Sequence, residues 1–139
     1  MDYMFLPLRR YADFSGRSRR MEYWMFVLFV TLVFIGGVAV LIALVGSVES
    51  LSSGGGDPPP GIIAGAALLG VFYLAILIPM LAVQVRRFHD QGKSGWMVLL
   101  NFIPYVGGLV VLVFMCMEGT RGPNQYGPDP KGDQSNVFV

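Results

Sequence analysis

The chain has 139 residues, 54% of them apolar and only 14% charged, against roughly 25% charged in an average soluble domain. Ten Lys and Arg oppose nine Asp and Glu, so no global field draws nucleic acid or acidic substrates. The one cysteine, Cys116, lies in an apolar run without a partner in the chain, which excludes a disulfide framework and a Cys-rich metal site and leaves a packing role.

The first segment, residues 1–20, alternates Tyr3, Phe5, Leu6, Leu8, Tyr11 and Phe14 with arginines. This pattern predicts a short strip along the lipid headgroups, basic side on anionic lipid, with Pro7 and Gly16 limiting its length. The apolar run that follows, Tyr23 to Val48, far exceeds a signal-peptide core of roughly 7–15 residues, and no small-x-small cleavage site punctuates a short core there. It is expected to stay attached as a signal anchor.

Uncharged windows at residues 23–48, 62–85 and 94–117 predict three membrane helices, over residues 22–48, 62–87 and 96–117. Each is long enough to cross a hydrocarbon core of about 30 Å at about 1.5 Å per residue. None shows the polar face at helical spacing that a soluble bundle needs. The resulting fold class is an all-α integral membrane protein, a single membrane domain of three transmembrane helices preceded by the interfacial segment.

Between the first two helices, residues 49–61 form a Gly/Pro-rich outer linker that cannot continue a helix. Residues 88–95 form a tighter basic loop, where Gly92 ends helix 2, Arg86 and Arg87 face its negative pole, and Ser94 caps helix 3. Helix 3 carries Pro104, Gly107 and Gly108 near its middle. It is read as a kinked single crossing, with a re-entrant hairpin as the alternative.

Sidedness follows from the cations in short loops. Arg9, Arg10, Arg17, Arg19 and Arg20 precede helix 1, none lies in the first loop, and Arg86, Arg87 and Lys93 flank the second. Both basic segments belong in the cytoplasm. Three spans then set the turn-rich tail, residues 118–139, outside, with only Arg121 and Lys131 opposing its export. Trp24 and Trp96 sit where aromatic rings anchor helices at the interface.

The stretch from Arg86 to Trp96 holds the only histidine, an adjacent carboxylate and three cations. Together with Arg17 and Arg20, the residues Arg86, Arg87, His89, Asp90 and Lys93 form a candidate site for an anion or lipid headgroup, because Arg offers planar bidentate donors to phosphate. The plainer reading pairs these cations internally with Asp90, Asp13 or Glu22. His89 and Asp90 are acid–base residue types, but sequence neighbours rarely aim at one target, and no second His or Cys completes a metal shell. No catalytic residue, metal or cofactor is assigned.

The charge-free windows within these helices, residues 23–48, 62–85 and 94–117, contain no Asp, Glu, Lys, Arg or His, which disfavours a transporter. Gln84 and Asn101 are polar exceptions suited to an interhelical hydrogen bond. Small residues four apart, Ala39 with Ala43, Gly61 with Gly65, and Ala66 with Gly70, allow close helix approach within the chain or between copies. The tail motif Asn124, Tyr126, Gly127 and Pro128 lies in a string of turn formers, and either binds a partner or folds back on the helix ends.

Three stretches together, FSGRSRRMEYW (Phe14 to Trp24), PMLAVQVRRFHDQGKSGW (Pro79 to Trp96) followed by IPYVGG, and GTRGPNQYGPDP (Gly119 to Pro130), resemble the domain-of-unknown-function 805 family of small bacterial inner-membrane proteins. Phe88 stands where that family usually has leucine, and Met97 where a second aromatic is common. The resemblance implies a helical protein of the bacterial cytoplasmic membrane and no established reaction. The expected function is a non-enzymatic membrane protein, binding anionic lipids or a membrane protein partner through its cytoplasmic basic face, and assembling as a homo-oligomer. A small channel built from oligomerised helices is the alternative.

Overall fold

The computed structural model describes residues 2–51 and 60–132; the linker from Ser52 to Pro59 and the last seven residues fall outside them. Among the described residues the secondary structure is helical, with one isolated bridge between Asn124 and Gly127. A 3-10 turn, Asp2–Met4, leads into α1 (Leu6–Arg9), followed by α2 (Arg20–Leu51) and α3 (Pro60–Asp90). A 3-10 segment, Gly95–Phe102, and α4 (Gly107–Cys116) complete the order.

Two compact units divide the chain. One is Leu28–Leu77, the apolar length of α2 and α3. Here glycines admit leucines: a Cβ on Gly37 would meet the Leu69 side chain at 2.5 Å, and one on Gly65 the Leu41 side chain at 2.6 Å. Of the small-residue pairs read from the sequence, Gly65 is the glycine so used, while Gly61 and Gly70 face open space. The stretch Arg20–Val45 has a mean hydropathy of 2.9 over its most apolar window, and none of that window is buried against protein. A soluble core helix would hide such a surface; this one requires an apolar solvent.

The other unit joins Met1–Val27 to everything from Ile78 onward. Its core consists of Phe26, Ala82, Val83, Phe88, Val111 and Met115, with Arg86 and Arg87 fully buried among them. α3 runs further than expected, so His89 and Asp90 lie in its last turn instead of a loop. The extension carries Arg87 and His89 against the negative end of the helix dipole, and Arg87 pairs with Asp90 one turn on. Gly92 then ends the helix at φ +69, with Lys93 N–H donating to the Phe88 carbonyl (2.9 Å) and Gly92 N–H to that of His89 (3.0 Å). This is a Schellman arrangement, built on the glycine that the sequence reads as the end of the helix. Ser94 caps the next segment by accepting from Trp96 N–H at 3.4 Å.

The continuous helix expected over residues 96–117 is replaced by two short pieces around a turn at Ile103–Val106. Pro104 cannot extend the helical ladder, and Tyr105 follows at φ +67, fully exposed. Beyond the turn Gly107 lies so close to the Leu100 carbonyl that a Cβ would overlap it. The two pieces thus form a tight hairpin. α4, with its 10 residues, is only about 15 Å long, half the hydrocarbon thickness.

Candidate functional site: a buried arginine knot

Three segments remote in sequence meet at the C-terminal end of α3. Gly16, at φ +77, turns the N-terminal arm toward it, and Ser18 N–H donates to the Arg86 carbonyl at 3.2 Å. This delivers Arg17, whose side chain is 2% exposed. Its Nε donates to Asp90 Oδ1 at 3.0 Å, its Nη1 to the Gly122 carbonyl at 2.7 Å and its Nη2 to the Thr120 carbonyl at 2.6 Å. A planar fork with five donors is the side chain that can bind a carboxylate and two carbonyls together.

Asp90 serves a second arginine, since Arg87 Nη1 donates to its other oxygen. The Nη2 of Arg87 reaches the Met117 carbonyl. The Asp90 main-chain carbonyl accepts from Thr120 N–H (2.8 Å) and from the Thr120 hydroxyl (3.0 Å). Gly119 rests directly on the Asp90 carboxylate, in a space that any Cβ would invade. Two buried cations therefore share one carboxylate, and tail carbonyls supply the remaining acceptors.

The tail folds back on the helix end. Asn124 Nδ2 donates to the His89 carbonyl at 2.9 Å, and its Oδ1 accepts from Tyr126 N–H at 2.9 Å. The latter bond sets the turn that Asn124 and Gly127 close by mutual main-chain hydrogen bonds of 3.0 Å. The Tyr126 ring stacks on His89 with centroids 3.9 Å apart and planes 6° from parallel. His89 Nδ1 lies 3.2 Å from the Gly16 carbonyl, so the ring is held by the arm on one side and the tail on the other.

Arg86 stands apart. It pairs with Glu22 at 3.3 Å, both buried, while its three guanidinium nitrogens find no hydrogen bond among the described residues. Arg20 bonds Glu118 at 2.7 Å at the surface, and Lys93 lies 4.9 Å over the Phe114 ring. Trp24 is partly exposed and Trp96 largely so. Cys116, expected to pack, is exposed; its carbonyl accepts from Arg20 at 3.2 Å.

The residues singled out from the sequence thus gather, but not around an open anion site. Arg17, Arg87, His89, Asp90, Asn124, Tyr126 and Gly127 interlock, and Arg86 neighbours them. Three complete spans would set the tail apart from the basic segments, whereas its turn formers also allow it to fold back on the helix ends; the hairpin returns the chain and the tail folds back, with Gln91 Nε2 donating to the Phe114 carbonyl and Asn124 to that of His89. Gly119 and Thr120 were not singled out individually, although a glycine and a short hydroxyl residue just past an apolar run are what a close backbone approach requires. Among the described residues no three His, Cys, Asp or Glu side chains gather as a metal site.

The family model described as "Protein of unknown function (DUF805)" matches residues 11–128, a span that contains the whole knot. The chain belongs to the DUF805 family. Its relatives include the inner membrane proteins YhaH and YhaI of Escherichia coli (strain K12), each 40% identical over 131 residues. The aligned region covers 94% of this chain and 98% and 97% of those proteins, respectively. A third relative, the E. coli protein YiiR, is 27% identical over 84% of this chain and 85% of its own length. No solved structure matches. DUF805 membership and the two long apolar helices together make this a helical inner-membrane protein of an uncharacterised family. Within it, Phe88 is fully buried and meets Phe114 edge-on at 5.9 Å.

Proposed function

We propose that this DUF805 protein is a non-enzymatic inner-membrane binding protein. In this reading it crosses the bilayer twice, dips into it with the hairpin of residues 95–117, and holds arm and tail together as a basic cytoplasmic recognition surface. Anionic headgroups or a protein partner are what that surface recognises, and further copies assemble through the exposed apolar helices.

The observation that carries this reading is the bond from Arg17 to Asp90 and to the Thr120 and Gly122 carbonyls. Arm, α3 terminus and tail share one buried polar cluster, so they share one side of the membrane. The arginines of both basic segments argue for the cytoplasmic side. A third complete span would put Phe114 near the far leaflet from Lys93, whereas Lys93 lies over its ring at 4.9 Å. The channel alternative is less supported, because Asn101 Nδ2 donates to Gln84 Oε1 at 2.8 Å and to the Val98 carbonyl at 3.0 Å, which engages these amides within the chain.

Paired reporters fused after Val139 test the topology: cytoplasmic fluorescence without periplasmic phosphatase activity is expected, and the converse overturns it. Native mass spectrometry of the detergent-extracted protein reads subunit count and retained lipid, and a bare monomer would remove the binding and assembly parts of the proposal.

A further inference from the structure

The knot consumes Arg17 and Arg87, yet other cations remain beside it. A groove of about 800 Å³ runs along the tail, and Arg19, Arg121 and Lys131 line it. Its one carboxylate, Asp129, is already committed. Asp129 Oδ2 accepts from Gly122 N–H at 2.9 Å, Oδ1 from Lys131 N–H at 2.8 Å, and Arg17 lies 4.0 Å away. The three cations therefore face a groove whose negative charge is turned into the fold.

Their own commitments differ. Arg121 is exposed and makes no hydrogen bond or ion pair among the described residues. Lys131 approaches Glu118 only at 4.0 Å, with both side chains more than half exposed. Arg19 is held, Nη1 donating to the Tyr3 hydroxyl at 3.2 Å and Nη2 to the Pro130 carbonyl. Pro123, Pro128 and Pro130 form walls of fixed φ that carry no N–H donor. The donors in this preformed groove are thus concentrated in cationic side chains, one of them a free planar fork.

We propose that this groove binds a phosphate-bearing anion, with Arg121 as bidentate ligand, Lys131 as a second charge and Arg19 as a fixed positive wall. It rests on the reading of this face as a recognition surface and names the chemistry recognised. A lipid headgroup and a soluble phosphate ester share that chemistry.

The full-length protein in uncharged detergent is titrated with inorganic pyrophosphate and, separately, with dihexanoyl phosphatidylglycerol below its micellar concentration. At least one probe is expected to bind, and the Arg121→Gln/Lys131→Gln double variant to weaken it about tenfold or more, as loss of a charge-assisted bond requires. The exposed Arg9→Gln variant, outside the groove, is expected to bind as the parent does. Binding of pyrophosphate alone identifies a soluble ester, and binding of the lipid alone a headgroup. Absence of binding to both, or equal binding by a double variant with unchanged thermal unfolding, overturns the proposal. Binding in detergent does not depend on sidedness, so a failed topology test and a failed groove are separate results.

Discussion

Arg17 and Asp90, 73 residues apart in sequence, meet at 3.0 Å with side chains only 2% and 6% exposed. Removing one member of such a buried pair leaves the other uncompensated, at a cost of about 3–5 kcal/mol. Asp90→Asn orphans Arg17 and Arg87 together and is expected to lower thermal stability in detergent by an amount in that range. Arg17→Lys keeps the charge but cannot serve a carboxylate and two carbonyls at once. It is expected to lose about 1.5–3 kcal/mol, the value of a hydrogen bond to a charged group. Equal stability of the Asp90→Asn variant and the parent would contradict the knot.

Gly119→Ala sets a methyl group against the Asp90 carboxylate. Overpacking of this kind costs about 1–3 kcal/mol, and the tail should become sensitive to trypsin at Arg121. Gly70→Ala and Gly108→Ala meet nothing within 4 Å. Both are expected to match the parent or exceed it slightly, since alanine is the better helix former. Comparable proteolysis rates for all three variants would remove the steric argument.

The stack of Tyr126 on His89 separates shape from hydroxyl chemistry. Tyr126→Phe keeps the ring and should leave tail protection intact. Tyr126→Ala is expected to lose the aromatic pairing, about 0.5–1.5 kcal/mol beyond lost area, seen as faster amide exchange at residues 120–127. If the phenylalanine variant exchanges as fast as the alanine one, the ring contact does not hold the tail.

Acid should loosen the surface turns at pH values below the ordinary carboxylate range. The Ser15 hydroxyl, and then Arg10, hold the Asp13 carboxyl well below its usual value; the N–H groups of Lys131 and Gly122 lower that of Asp129. A depressed folded value stabilises the protein above the unfolded value, and that contribution disappears as pH falls through the folded one. The turns at Asp13–Ser15 and Gly122–Lys131 should therefore persist at pH 5 and open only under stronger acid. Amide exchange across that range reads this directly, and opening already near pH 5 would contradict it.

Much of the fold was legible because lipid imposes a simple rule on composition. Uncharged runs marked α2 and α3, and Gly92 and Ser94 marked the turn after them, since each signal is local. The internal pairing of arginines with Asp90, Asp13 and Glu22 was also within reach, because few carboxylates stand near those cations. The third helix was harder. An apolar run of adequate length does not reveal that Pro104 and the close approach of Gly107 to Leu100 turn it back on itself. That depends on a contact between residues seven apart, across the turn itself. The groove was illegible for the same reason: Arg19 and Lys131 adjoin only once the tail has folded.

The knot also sets an order of events during synthesis. Arg17 emerges 103 residues before Thr120, its acceptor, which is about 5–20 s at ribosomal speeds of roughly 5–20 residues per second. For that interval Arg17 has no tail carbonyl to meet, and α2 and α3 are made before the latch exists. A chain cut short before Thr120 never closes it. The earliest buried arginine of the chain is thus matched only after both long helices have been made, once the Thr120 and Gly122 carbonyls exist.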